Sequence, residues 1–235
     1  MPRYGRILLK LSGEALAGQN GFGIDPAKAR TLAEEISQVA RTGAQLGLVV
    51  GGGNFFRGVA EVAKSMNRVA ADSMGMLATV MNAVALADAL TAAGLDTRVL
   101  TAIEMNRLAE FYTPRAAIDH LEAGRAVICA GGTGNPYFST DTGASLRALE
   151  IGAAVMAKAT SVDGVYDKDP RKHADAVKFD RIAHQEVLDR RLGVMDSSSV
   201  AMCRDNGLSI VVFNMGVAGN IMRMAMGAPI GTVIG

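Results

Sequence analysis

The sequence predicts an α/β protein, a single domain over residues 1–235 built on a mainly parallel central β-sheet sandwiched between helices. Three observations carry that prediction. Short aliphatic runs alternate with helix-patterned segments along the chain. The runs are continuously apolar, as strands covered on both faces are; half-exposed strands would alternate. Glycine follows three of them, where a strand hands over to a helix.

The elements follow in order. "RILLKL" (6–11) is the first strand. In "IDPAKAR", Asp25 takes the cap and Pro26 the first helical position, so a helix is expected near 26–42, stopped by Gly43. "QLGLVV" (45–50) is the second strand, and a long helix near 63–93 ends at Gly94. Its uncharged stretch, 73–87, lies between Asp72 and Asp88 and is shorter than the roughly 20 residues a membrane span needs. It reads as a helix buried in the fold or at a subunit contact. "TRVL" (97–100), a helix near 114–123 and "RAVICA" (125–130) come next. The remainder reads as a helix near 142–152, the strand "AAVMAKAT" (153–160), a polar stretch with two short strands, a helix near 197–206 and the strand "SIVVFN" (209–214).

An apolar fraction of 49% against 20% charged excludes a disordered chain. Lys and Arg number 24 and Asp and Glu 23, so a net charge of +1 offers no broad footprint for nucleic acid or anionic lipid. Any anion must therefore be held locally. Cys129 and Cys203 lie far apart in or beside apolar runs and read as buried free thiols, which suits a reducing cytoplasm. No apolar core with a small-residue cleavage site opens the chain, so export is not expected. The 13 methionines are attributed to core packing.

In a parallel sheet, ligands gather at the carboxyl ends of the strands, where helix N-termini offer free N–H groups. The first strand ends in Lys10-Leu11-Ser12-Gly13, the second in Gly51-Gly52-Gly53-Asn54, and "RAVICA" runs into Gly131-Gly132-Thr133-Gly134-Asn135. One such turn is as well explained by a tight connection as by phosphate binding. Three at one edge, with Lys10 and Arg57 beside them, point to a site for several phosphates. There is no Gly-Lys dipeptide for a P-loop, no dinucleotide fingerprint, and no His-Arg-Asp kinase loop. His120, His173 and His184 lack metal-ligand spacing and read as surface or satisfied structural residues.

Lys158 closes an apolar strand as Lys10 does, so each either snorkels to solvent or points into a site. Two ammonium groups at one edge repel unless an anion lies between them, an arrangement phosphoryl transfer uses. Asp163, Asp167 and Asp169 form an acidic loop without the calcium-loop pattern. Asp141 and Asp196, each near a helix start, would hold a lysine, bind a nucleotide or cap a helix. Spacing does not separate these three.

"LLKLSGEAL", "GFGID", "VVGGGNFFRG", "DSMGMLATVMNA", "GTGNPYFSTD", "KATSVDGVYDKDP" and "VMDSSS…RDN…VVFNM" together resemble the bacterial UMP kinases, a branch of the amino acid kinase family, in order and over nearly the whole chain. The resemblance implies transfer of the ATP γ-phosphoryl group to UMP, with Mg²⁺ carried largely on the nucleotide phosphates. It implies an acceptor lobe over roughly 1–140 and an ATP lobe over roughly 141–235. Lys10, Leu11, Ser12, Gly13, Gly53, Arg57, Thr160, Tyr166 and Asp169 would serve ATP. Gly52, Asp72 and the segment Thr133, Gly134, Asn135, Pro136, Tyr137, Phe138, Ser139 and Thr140 would serve UMP, with Asp72 on the ribose. Lys10 and Lys158 would stabilise the transferring group, oriented by Asp141 and Asp196.

The resemblance further implies a homohexamer, activation by GTP and inhibition by UTP, with Gly18, Gln19, Asn20, Gly21, Phe22 and Gly23 matching the stretch linked to GTP. Ser73 departs from the aromatic or His expected after the ribose aspartate, Met156 and Ala157 replace bulkier aliphatics, and Ser139 replaces a common Thr. A kinase of carbamate or an amino acid is disfavoured, because those acceptors need a cationic clamp where this segment is neutral. A nucleotide- or oxyanion-binding protein without turnover is the alternative of a different class, and the paired lysines argue against it.

Overall fold

In the computed structural model, the described residues are 1–19, 21–56 and 65–235. Eleven strands are described. They are β1 (Arg6–Leu11), β2 (Gln45–Val50), β3 (Thr97–Thr101), β4 (Glu110–Phe111), β5 (Ala126–Ala130), β6 (Val155–Thr160), β7 (Val165–Tyr166), β8 (Lys178–Phe179), β9 (Arg181–Ile182), β10 (Ile210–Asn214) and β11 (Thr232–Ile234). Nine of them form one sheet in the order β4-β3-β5-β2-β1-β6-β10-β11-β9. From β4 to β10 every neighbouring pair is parallel; β11 turns antiparallel against β10. The mainly parallel sheet is thus as the apolar runs predict.

Helices cover both faces. On one lie α1 (Pro26–Ala40), α2 (Arg68–Ala92) and α7 (Asn220–Ala225), sharing a core with Ile7, Leu9, Leu48, Val50, Ala157 and Phe213. On the other lie α3 (Pro114–Glu122), α4 (Thr140–Glu150), α5 (His184–Asp189) and α6 (Ser197–Asp205), packed on Leu8, Val49, Met156 and Val212. Alternation along each strand decides which residue meets which layer. In β1, Ile7, Leu9 and Leu11 face the first core while Leu8 and Lys10 face the second layer.

Several boundaries differ from expectation for identifiable reasons. Helix α4 begins two residues earlier than predicted because Ser139, not Asp141, is its cap: the Ser139 hydroxyl accepts from the Thr142 N–H at 3.1 Å. That leaves the Asp141 side chain free for other partners. The polar stretch after β6 holds three short strands where two were expected, and β4, α5, α7 and β11 were not foreseen. Each has six residues or fewer, too short to set up a hydrophobic period.

Helix α2 is 25 residues long, and by length and composition it would pass for a membrane span. It packs Val80, Ala83, Leu86 and Leu90 into the core. Met74, Leu77, Met81 and Val84 form an exposed stripe along its other side. Both cysteines are free and buried, and burial pushes the Cys129 thiol up to about 12. His184 is buried against the Leu208 carbonyl, and His120 pairs with Glu110.

Candidate active site

Strands β1 and β6 are adjacent in the sheet, and their register pairs Lys10 with Lys158. Residues paired on neighbouring strands project to the same face, so the two ammonium groups, predicted to converge from distant points of the chain, do so. Their side chains are only 12% and 11% exposed, which sets aside the snorkelling alternative. Asp141, in the first turn of α4, bridges them: its Oδ1 lies 2.8 Å from Lys10 Nζ and its Oδ2 2.6 Å from Lys158 Nζ. Lys158 also donates to the Val194 carbonyl.

Two cations and one carboxylate leave a surplus positive charge in a largely buried place, which an anion would neutralise. Burial alone would raise the Asp141 carboxyl, but the charges and hydrogen bonds of Lys10 and Lys158 outweigh it and hold Asp141 below the ordinary carboxylate range. Lys158 is held below the ordinary lysine value by burial and by the like charge of Lys10, against the pull of Asp141.

Asp196 has a different position. As the cap of α6 it accepts from the Ser199 N–H at 2.9 Å, and it also accepts from the Thr142 hydroxyl at 2.7 Å and from the Ser139 hydroxyl. Ser199 in turn donates to the Asp141 carbonyl at 3.1 Å. Asp196 hydrogen-bonds neither lysine; it laces the N-termini of α4 and α6 together, and its charge favours the ammonium form of Lys158.

Two cavities open near this centre, reaching its sequence neighbours Ser12, Thr140 and Thr160, while Lys10, Lys158 and Asp141 line neither. The first, about 780 Å³, is lined by Gly52, Asp72, Thr133, Asn135, Ser139 and Thr140, with Tyr137 and Phe138 forming exposed walls. Gly134 and Pro136 belong to the same loop, and the Gly134 N–H closes its turn on the Gly131 carbonyl at 2.9 Å. Asp72 accepts from Arg68 Nε at 2.8 and 2.9 Å and from the Tyr137 N–H at 2.7 Å. Burial pushes the Asp72 carboxyl up, and the Tyr137 amide and Arg68 together bring it below its ordinary value. Ser73 turns away, donating to the Val69 carbonyl.

The second cavity, about 850 Å³, is lined by Ser12, Lys28, Glu35, Thr160, Asn214 and Met215 among others. Ser12 and Thr160 stand two residues beyond Lys10 and Lys158, and Glu14 lines both cavities. Leu11 is buried in the first core. Tyr166 and Asp169 hydrogen-bond within the segment after β6, to Asp163 and to the Arg171 N–H, and neither lines this cavity.

The glycine loops meet at the shared edge, and the close approach explains two of them. A Cβ at Gly13 would lie 2.4 Å from the Gly51 carbonyl oxygen, and one at Gly52 would lie 2.7 Å from Ala78 Cβ and 2.8 Å from the Gly75 carbonyl oxygen. Gly53 lines the first cavity. Gly18, Gln19, Gly21, Phe22 and Gly23 lead to the same region: the Gly23 N–H donates to the Asn54 carbonyl at 3.0 Å, and Phe22 meets Phe55 edge-on at 5.9 Å. Arg57 and Asn20 lie outside the described residues.

Sequence reasoning missed Thr79 and Asn82. Asn82 exchanges amide hydrogen bonds with Asn54 at 2.7 and 2.9 Å and donates to the Gly51 carbonyl at 2.7 Å, anchoring the second loop. Thr79 accepts from the Gly131 N–H at 2.9 Å and lines the first cavity. The signal was present: both are polar residues in the otherwise apolar stretch 74–87 of the helix, where an unmet hydrogen-bonding group is costly.

A model of the amino acid kinase family matches residues 5–214. The fold matches the crystal structure of UMP kinase from Bacillus anthracis with a TM-score of 0.95 at 35% identity, over 98% of this chain and 96% of that one. It matches UMP kinase from Ureaplasma parvum with a TM-score of 0.92 at 33% identity, over 99% of both chains. Uridylate kinase from Archaeoglobus fulgidus matches with a TM-score of 0.76 at 29% identity, over 97% of this chain and 99% of that one.

Proposed function

The chain belongs to the amino acid kinase family, and we propose that it is an ATP-dependent UMP kinase. A phosphate oxygen of UMP attacks the γ-phosphorus of ATP, the bond from that phosphorus to the bridging oxygen breaks, and UDP and ADP form. No general base is required, because the acceptor phosphate is largely ionised at neutral pH. Catalysis is then positioning and charge neutralisation by Lys10 and Lys158, with Asp141 holding both ammonium groups in place.

The observation that carries this reading is the pairing of Lys10 and Lys158 over Asp141, beside two nucleotide-sized cavities. The cavity holding Gly52, Asp72 and the 133–140 segment is assigned to UMP, whose phosphate and base the neutral donors Thr133, Asn135, Ser139 and Thr140 suit. The cavity holding Ser12 and Thr160 is assigned to ATP; Lys10, Leu11, Gly13, Gly53, Arg57, Tyr166 and Asp169 are proposed as further contacts on the resemblance alone, since the described ones among them do not line that cavity. Residues 1–140 then form the acceptor lobe and 141–235 the donor lobe. Mg²⁺ would ride on the nucleotide phosphates, as the resemblance implies.

Activation by GTP through residues 18–23, inhibition by UTP, a cytoplasmic location and a place in pyrimidine nucleotide synthesis complete the proposal. The exposed stripe of α2 supports self-association, with a hexamer as the proposed state. The test is a panel of nucleoside monophosphates with ATP and Mg²⁺, following ADP release. UMP is expected to be phosphorylated in preference to AMP, GMP and CMP; ADP release with none of them would overturn the assignment.

A further inference from the structure

The 131–137 loop passes through four residues with left-handed backbone: Gly131 (φ 75°), Gly132 (φ 58°), Gly134 (φ 78°) and Tyr137 (φ 72°). Glycine takes this conformation at little cost, whereas Tyr137, which carries a Cβ, keeps it only where its surroundings hold it there. Three side chains from outside the loop grip it. Thr79 accepts from the Gly131 N–H at 2.9 Å, Asp72 accepts from the Tyr137 N–H at 2.7 Å, and Arg147 Nη2 donates to the Gly132 carbonyl at 3.0 Å. Thr79 and Asp72 line the acceptor cavity; Arg147 does not.

Arg147 lies on α4 with its side chain 6% exposed, and Nη1 donates to Glu150 at 2.6 Å. Its guanidinium carbon sits 3.9 Å from the centre of the Tyr112 ring, while its Nε has no hydrogen-bond partner among the described residues. Burying a guanidinium with a donor unmet is costly, and an apolar side chain of similar size would stabilise this position as well or better. Packing alone therefore does not account for an arginine here. What the arginine supplies is a directed N–H to the carbonyl of Gly132, a residue that lines the acceptor cavity.

We propose that Arg147 is a positioning residue for the acceptor: by holding the Gly132 carbonyl from behind, it fixes the turn that aims Thr133 and Asn135 into the acceptor cavity. It sets acceptor affinity without touching the acceptor or the transferring group. The inference rests on the acceptor-cavity assignment made under Proposed function.

Arg147→Lys keeps the charge but loses the planar fork that reaches Glu150 and Gly132 together. In the full-length enzyme it is expected to raise KM for UMP about fivefold or more, the scale of one lost charge-assisted hydrogen bond, with KM for ATP and kcat moved by less than about twofold. Hydrogen–deuterium exchange without nucleotide is expected to quicken across residues 131–137. That readout does not depend on phosphoryl transfer, so it still tests the brace if UMP proves not to be the acceptor. An unchanged KM for UMP, an ATP KM rising in step with it, or unchanged loop exchange would each overturn the proposal. Should Arg147→Lys fail to fold, Glu150→Gln loosens the same guanidinium more gently. The same split between the two KM values and faster loop exchange are expected there, and their absence overturns the proposal equally.

Discussion

Lys158 is 9% exposed and shares a carboxylate with a second lysine, so its charge acts where water screens little. Lys158→Ala should lower kcat by roughly a hundredfold or more, on the scale of a lost electrostatic stabiliser; unchanged turnover in a steady-state assay would remove Lys158 from the mechanism. Its depressed pKa also has a sign. The native side chain sheds its proton below the ordinary 10.5, so kcat/KM, which follows the free enzyme, should fall as pH rises through a value below 10.5. In the window between the folded and unfolded values the unfolded chain binds more protons, so this group's contribution to stability rises with pH while activity falls. Asp141→Asn removes the charge that favours the ammonium form and should move the alkaline limb of the kcat/KM profile to lower pH. A limb that stays in place or moves up would contradict that role for Asp141.

Among elements, α1 is the clearest case of local chemistry fixing a boundary. Asp25 accepts from the Ala27 N–H at 2.8 Å and the Lys28 N–H at 3.4 Å, with Pro26 at the first helical position. Asp25→Ala should cost about 1 kcal/mol, a drop of a few degrees in the melting temperature by calorimetry; an unchanged melt would mean the cap is redundant. Caps, glycine stops and buried apolar strands were legible because each leaves a mark within a few adjacent residues. The lysine pair was half-legible: two strand-ending lysines could be seen, but their register depends on β6 lying beside β1, which no local pattern encodes. Asp196 was ambiguous because its spacing suits a cap or a catalytic carboxylate equally, and only its partners Ser139, Thr142 and Ser199 reveal the brace. Arg147 and Asn82 stayed hidden because their partners lie 15 and 28 residues away, across loops whose path the sequence leaves open.

For the whole molecule, the apolar stripe of Met74, Leu77, Met81 and Val84 on α2 is spaced at helical intervals and faces outward. Met81→Lys is expected to lower the molar mass seen by light scattering after size-exclusion chromatography, and an unchanged mass would exclude this stripe from the subunit contact. The central register of β1 against β6 has a further consequence. The charges that would move a phosphoryl group stand on adjacent central strands, while the groups that would choose its recipient hang on the turn that follows β5. Engine and selector are joined at Ser139, whose hydroxyl caps the helix that carries Asp141, so an exchange of the turn's chemistry that keeps Ser139 would redirect the enzyme to a new recipient while leaving its power stroke in place.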